Sequence, residues 1–150
     1  MSSSPFSGSP TVAMNDSALQ SAGYIDSTGN LVAAHDAAAA HLGAPWRMPT
    51  RDEIEGLVSN CTTTWITTNG VYGRLVTGTG DYKNRSIFIP AAGYCSGSYF
   101  DYPGSVGRYW CSTPESEASH HNAWCLSIKQ GGFSDAAFYR GTGQTVRPVR

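Results

Sequence analysis

Two adjacent histidines, His120 and His121, are the first candidates for metal chemistry in this sequence. Two carboxylates, Glu115 and Glu117, precede them, and Cys125 follows. Neighbouring residues of an extended chain point to opposite faces, so two adjacent imidazoles do not readily bind one metal ion. The sequence also lacks the ligand spacings that are typical of zinc or calcium sites. We therefore predict no metal and no other cofactor.

The four cysteines leave their redox state open. An even number of cysteines permits disulfides in more than one connectivity, but no C-x₂-C pair indicates a structural zinc site. Free thiols and disulfides both remain compatible with the sequence. The residues are Cys61, Cys95, Cys111 and Cys125.

The sequence motifs give little support for nucleophilic or acid–base catalysis. No G-x-S-x-G stretch is present, and the two Gly-Thr-Gly runs at residues 78–80 and 141–143 neither precede a predicted helix nor lead into Lys-Ser/Thr. They are typical of turns. Four carboxylates lie on separate predicted loops and form no evident acid and base pair. They are Asp101, Glu115, Glu117 and Asp135. We predict no catalytic residues and no enzyme.

Aromatic and polar side chains in the second half of the chain indicate a binding surface. Tyr99, Phe100, Asp101 and Tyr102 are consecutive, whereas a strand with one buried face alternates apolar and polar residues. Such a run cannot be buried as a whole. Tyr, Arg and His offer large contact areas, and Ser offers adaptable hydrogen bonds. The predicted contact residues are Tyr99, Phe100, Asp101, Tyr102, Arg108, Tyr109, His120, His121, Cys125, Phe133, Ser134, Asp135, Phe138 and Tyr139. The alternative is that several of them fill the core of a small β-rich domain.

Composition limits the partners of this surface. The 150 residues, 16.0 kDa, are enough for one domain. Ten Lys and Arg against 11 Asp and Glu give a net charge of −1, so no basic field attracts nucleic acid. No apolar run approaches the roughly 20 residues that cross a bilayer, so we predict no membrane insertion.

The first 22 residues differ in composition from the rest. Residues 1–22 are rich in Ser, Pro, Gly and Ala, which predicts a flexible arm, and the folded domain is expected at residues 23–150. The arm has neither the basic nor the apolar region of an export signal.

Two helices are predicted next. Residues 31–42 are rich in Ala, with Asn30 as a possible N-cap and Gly43 as a C-terminal stop. A second helix over residues 51–59 begins with a capping box formed by Thr50 and Glu53.

The rest of the chain has the features of antiparallel strands. Residues 62–68 and 71–77 flank Asn69-Gly70, a strong hairpin signal. A strand over residues 86–89 ends at Pro90. The sequence therefore predicts an α+β fold of two helices and a loop-rich antiparallel sheet. Further strands are expected at residues 109–113, 123–128, 136–139 and 145–149.

Four segments in this order resemble a known family. They are residues 46–50 (WRMPT), 88–94 (FIPAAGY), 109–113 (YWCST) and 140–149 (RGTGQTVRPV). Together they are similar to the Fibrobacter succinogenes major paralogous domain, a family with a C-type-lectin-like fold, over residues 24–150. The resemblance implies that fold, in which residues 145–149 close back near the N-terminal part.

The resemblance also implies a function. Proteins of this family and fold serve as variable proteins of diversity-generating retroelements, whose C-terminal segment is rewritten by adenine-directed mutagenic reverse transcription. The variable segment here corresponds to residues 92–150. The chain lacks the Glu-Pro-Asn, Gln-Pro-Asp and Trp-Asn-Asp triplets of calcium-dependent lectins of this fold, which disfavours calcium-dependent sugar binding. It also lacks the paired cysteine motifs of the related formylglycine-generating enzymes.

The expected function is therefore that of a ligand-binding variable protein whose diversified patch recognises a protein or a cell-surface receptor. It would face the outside of a bacterium or be carried on a phage virion, and oligomeric display is left open. One alternative is an invariant cell-surface or phage structural module, such as an adhesin, of the same fold. A second is an enzyme related to the formylglycine-generating branch.

Overall fold

The computed structural model describes residues 15–115 and 121–150, and they form an α+β fold with few helices and antiparallel sheets. The helices are α1 (Asp16–Ser21), α2 (Ala37–Leu42), α3 (Arg51–Asn60) and a 3₁₀ turn (Gly80–Tyr82). The strands are β1 (Cys61–Thr68), β2 (Val71–Gly78), β3 (Ser86–Pro90), β4 (Tyr94–Ser96), β5 (Tyr99–Asp101), β6 (Val106–Glu115), β7 (Asn122–Lys129) and β8 (Gly132–Tyr139).

Among the described residues, these strands form three antiparallel sheets in the orders β1-β2-β3, β4-β5 and β6-β7-β8. Helix α3 packs on the third sheet and contributes Ile54 to the core. The core thus joins α3 to strands of the first and third sheets. Its buried members are Ile54, Val76, Ile89, Tyr109, Cys111, Leu126 and Ile128.

The capping box of α3 is confirmed. The Thr50 hydroxyl accepts from the Glu53 amide, and the Glu53 carboxylate accepts from the Thr50 amide. Arg47 donates both Nη groups to this carboxylate at 2.7 and 2.6 Å. The Arg47 backbone also pairs with Val149, which closes the chain end onto the start of α3.

The Ala-rich helix is shorter than predicted. Residues 31–42 were expected to be helical, but α2 begins at Ala37. One oxygen of buried Asp36 caps the first turn, and the other accepts from the Met48 amide at 2.8 Å. Asn30 is not the cap, because its side-chain oxygen accepts from the Thr113 hydroxyl at 2.6 Å. Tertiary hydrogen bonds therefore override the helix propensity of Ala.

A third α-helix corrects the predicted extent of the N-terminal arm. Asn15 caps α1, which lies inside the range 1–22 that was expected to be a flexible arm. Leu19 is buried, so this turn packs on the domain. Residues 1–14 lie outside the described part of the chain.

The predicted hairpin is confirmed, whereas the final strand is not. Strands β1 and β2 pair in register from Cys61–Gly78 to Thr68–Val71, around Asn69 and Gly70, which both have positive φ. Residues 145–149 form only isolated bridges, from Thr145 to Tyr109 and from Val149 to Arg47. Pro148, inside this segment, has no amide proton to donate.

A buried arginine connects the first and third sheets. Arg74 on β2 is 8% exposed. Its Nε and Nη2 donate to the Lys129 carbonyl at 3.1 and 2.9 Å, and Nη2 also donates to the Gln130 carbonyl at 2.7 Å. Nε is shared with the Gly132 carbonyl, and Nη1 donates to the Thr63 hydroxyl. The guanidinium thereby satisfies the carbonyls of the β7–β8 turn.

Replacing this arginine should destabilise the protein. Arg74→Met removes the donors and leaves partly buried carbonyls unsatisfied, so we expect the free energy of unfolding to fall by about 2–4 kcal/mol in urea denaturation. Arg85→Met, at an exposed position, is the matched control and should change it by less than about 0.5 kcal/mol. Equal effects of the two substitutions would contradict this role for Arg74.

The Arg47–Glu53 pair predicts a pH dependence. Hydrogen bonds from Arg47, aided by the Thr50 amide, lower the pKa of Glu53 from 4.5 to about 2. Because the folded-state pKa is lowered, the stability from this carboxylate is fully present above pH 4.5 and is lost as the pH falls towards 2. Measured by urea unfolding at a series of pH values, Glu53→Gln should lose less stability than the parent protein over this interval. Parallel curves for the two proteins would refute the prediction.

Candidate functional site

The β4–β5 hairpin displays the predicted aromatic run. Tyr99, Phe100 and Tyr102 are 77%, 60% and 61% exposed. Asp101 is half-buried and lies opposite Tyr94 in the hairpin register. Large aromatic side chains with this exposure form an apolar surface that is available to a ligand.

A glycine just before β4 allows the chain there to pack closely against β5. Gly93 precedes β4 with φ +72°, and a Cβ atom there would lie 2.5 Å from the Asp101 carbonyl oxygen. The Phe100 ring also passes within 3.2 Å of that position. Any side chain at Gly93 would therefore displace the aromatic run.

Arg108 links this hairpin to the third sheet. Its guanidinium carbon lies 3.8 Å from the ring centroid of Tyr94 and 3.7 Å from that of Phe138, so the two rings enclose it. Tyr102 stacks on Tyr94 with ring centroids 5.9 Å apart. We refer to these four residues, Tyr94, Tyr102, Arg108 and Phe138, as the aromatic–arginine ridge.

The strand register explains how Arg108 reaches Phe138. Arg108 lies opposite Ser127, and residues two apart on a strand share a face, so Cys125 and Ala136 are the next pair along this face. Phe138 lies two residues beyond Ala136. Arg108 and Phe138 therefore lie on the same face of the third sheet, and the side chains between them, Cys125 and Ala136, are small.

Two predicted contact residues are core residues instead, which corrects the prediction. Cys125 is 0% exposed, and burial raises the pKa of its thiol to about 12. Tyr109 is 4% exposed, and its hydroxyl donates to the Pro90 carbonyl. Burial raises the pKa of Tyr109 to about 12. Neither side chain can contact a ligand while the strands remain packed.

Strand β8 distributes its predicted residues over two faces. Ser134 is exposed and shares the face of Arg108, whereas Phe133 and Asp135 lie on the opposite face. Phe133 packs against the core. Asp135 lies 3.4 Å from the Arg51 guanidinium of α3. Phe133 and Asp135 are therefore separated from the ridge.

Two more predicted residues, His121 and Tyr139, lie at the far end of the third sheet. His121 is exposed, with its ring centroid 6.4 Å from that of Tyr139, which is 47% exposed. Tyr139 follows Phe138 on the strand and so points away from the ridge. His120 lies outside the described residues.

Tyr94 was missed by the sequence analysis. It belongs to the 88–94 motif and carries no local signal of exposure. Its place in the ridge depends on the β4–β5 pairing, which brings Tyr102 to its ring, and on the bridge between Gly93 and Gly107, which brings Arg108 there.

The structure describes the redox state of the cysteines and the grouping of possible metal ligands. All four cysteines, Cys61, Cys95, Cys111 and Cys125, are free thiols. Within residues 15–115 and 121–150, no group of three or more His, Cys, Asp or Glu side chains is arranged to hold a metal ion. None of the helices in that part of the chain has the length and apolar character needed to span a bilayer.

A cavity of about 280 Å³ lies between the N-terminal elements, β6 and the C-terminal segment. Its walls include Leu19, Ile25, Leu31, Trp110 and Val146, and none of the predicted contact residues lines it. Since segments distant in the chain form these walls, the sequence contains no local pattern that would reveal the cavity.

Comparison with known proteins gives no relative: no protein-family model, no curated protein and no solved structure matches the chain.

The burial of the thiols predicts their reactivity. Cys95 is exposed, whereas Cys111 and Cys125 are buried with the pKa raised to about 11 and about 12. In native protein at neutral pH, we expect a thiol reagent to modify Cys95 at least about 100-fold faster than Cys111 or Cys125. Peptide mass spectrometry would assign the sites, and Cys95→Ser should remove the fast phase. Fast modification of Cys111 or Cys125 in the folded protein would contradict the burial of both thiols.

Proposed function

We propose that this chain is a ligand-binding variable protein with a C-type-lectin-like fold, and that its diversified patch recognises a protein or a cell-surface receptor. The observation that carries the proposal is the aromatic–arginine ridge beside the exposed rings of Tyr99 and Phe100. Tyr and Arg dominate the contacts that provide most of the free energy of protein recognition.

The support beneath the ridge favours a binding role. Arg108 and Phe138 project from paired strands, and the closely packed base at Gly93 positions the hairpin. A side chain changed on such a backbone alters the fit to a ligand without remaking the fold. By the magnitudes known for interface hot spots, each central change would alter binding by about 1–3 kcal/mol.

Contacts among the four family-like segments support the proposed fold. Arg47 of the first segment pairs with Val149 of the last, and Tyr109 of the third pairs with Thr145. The Tyr109 hydroxyl also binds the carbonyl of Pro90 in the second segment. The segments that carry the resemblance therefore meet in the scaffold, whereas the ridge consists mainly of residues outside them.

A non-enzymatic role is supported by the state of the cysteines. Burial raises the pKa of Cys111 to about 11 and that of Cys125 to about 12, so both thiols keep their protons at neutral pH. A reactive cysteine instead requires a thiolate. This environment disfavours the chemistry of the formylglycine-generating branch.

The proposal includes an exterior location, on a bacterial surface or a phage virion, and no nucleic-acid partner. The net charge of −1 provides no field to attract nucleic acid. The exposed aromatic rings instead suit a ligand with apolar and hydrogen-bonding groups.

Sequencing this gene across a population of its source tests the proposal. We expect substitutions to concentrate at the codons of the contact residues on the hairpin and on the Arg108 face of the third sheet, while those of Tyr109, Cys125 and Arg74 stay fixed because their side chains are buried. The varying residues are expected to be Tyr99, Phe100, Asp101, Tyr102, Arg108, Ser134 and Phe138.

A uniform gene, or substitutions spread evenly along the chain, would refute diversification. A uniform gene would favour an invariant surface or phage module.

A further inference from the structure

Arg108 carries a positive charge that no described residue neutralises. In residues 15–115 and 121–150, Arg47 and Arg51 form ion pairs, whereas the guanidinium of Arg108 is in contact with two aromatic rings and has no ion pair or hydrogen bond. An arginine stays protonated throughout the physiological pH range. Its partial burial between two rings removes hydration, so an anionic partner would gain from binding it.

The geometry leaves one edge of the guanidinium open. The rings of Tyr94 and Phe138 cover its two flat faces. The Nε atom is buried without a hydrogen-bond partner, whereas the Nη atoms are not among the buried unpartnered atoms. A ligand can therefore approach in the plane of the guanidinium, along the Nη edge. Two parallel N–H donors at such an edge match the two oxygens of a carboxylate.

We propose that the ridge binds a carboxylate from an acidic segment of a partner protein, with the Arg108 Nη groups as donors. This inference rests on the proposed ligand-binding function and names the class of ligand. Exposed Tyr99, which shares a hairpin face with Tyr94, would contact the apolar neighbours of that carboxylate.

The contacts of the ridge favour a protein over an acidic polysaccharide. A sugar ring stacks on an open aromatic face, but the ring of Tyr94 next to the Arg108 guanidinium is packed against both Arg108 and Tyr102. Arg108 likewise covers a face of Phe138. A narrow acidic side chain needs only the open Nη edge. The surrounding Tyr, Phe and Arg side chains are those enriched at protein interfaces.

A direct test follows the guanidinium signals of the full chain by nuclear magnetic resonance. The probe is a hexaglutamate peptide, compared with hexaglutamine at matched ionic strength. We expect saturable shifts of the Arg108 signals with hexaglutamate only. Arg108→Gln should weaken binding by about tenfold or more, because the charge and the donor fork are both lost.

Two further variants distinguish the effect of the two-donor geometry of the guanidinium from the effect of its charge alone. Arg108→Lys keeps the charge but loses the two-pronged geometry, so we expect weaker binding than in the parent protein. Arg85→Gln removes one charge from an exposed position and should change the affinity by less than about twofold. Thermal unfolding checks that each variant is folded.

The assignment is overturned if the Arg108 signals do not shift, or if Arg85→Gln weakens binding as much as Arg108→Gln. Binding of polygalacturonate without binding of hexaglutamate would overturn the assignment to a protein. These outcomes are independent of gene sequencing. If the codons vary but hexaglutamate does not bind, the proposed function is retained and the carboxylate site is refuted. If the gene is invariant but binding depends on Arg108, the carboxylate site is retained and diversification is refuted.

Discussion

The hydrogen bonds of the buried Arg74 guanidinium are the interaction that fixes the first sheet relative to the third. The guanidinium leaves β2 and donates to the carbonyls of Lys129, Gln130 and Gly132, thereby tying the first sheet to the turn between β7 and β8. Turn carbonyls at a sheet junction need donors once water is excluded. A single planar cation with several donors satisfies them together, which an apolar contact cannot do. The strand that carries Phe138 begins at this turn.

The ridge lies on one face of the third sheet. Cys125 and Ala136 occupy that face between Arg108 and Phe138, and both have small side chains. The Arg108 guanidinium contacts the rings of Tyr94 and Phe138. A charged group is thereby held between two aromatic rings of different sheets.

The scaffold and the proposed site use different parts of the sequence. Arg47, Tyr109 and Val149 hold strands and termini together through backbone pairs and a buried hydroxyl. The aromatic run of the hairpin adds little to that framework and remains exposed. Such a separation lets surface residues change while burial and pairing keep the fold, as the proposed diversification requires.

The sequence by itself determined the elements with local causes. The capping box starts α3, and the Asn69-Gly70 turn fixes the register of β1 with β2, because both depend on residues close in the chain. It also identified the exposed hairpin aromatics, since consecutive large rings cannot all be buried. Tertiary structure decided the start of α2, because Asp36 binds the distant Met48 amide. It also decided which strand residues are buried: Cys125 is 0% exposed, because the cover of a sheet face comes from other elements of the fold.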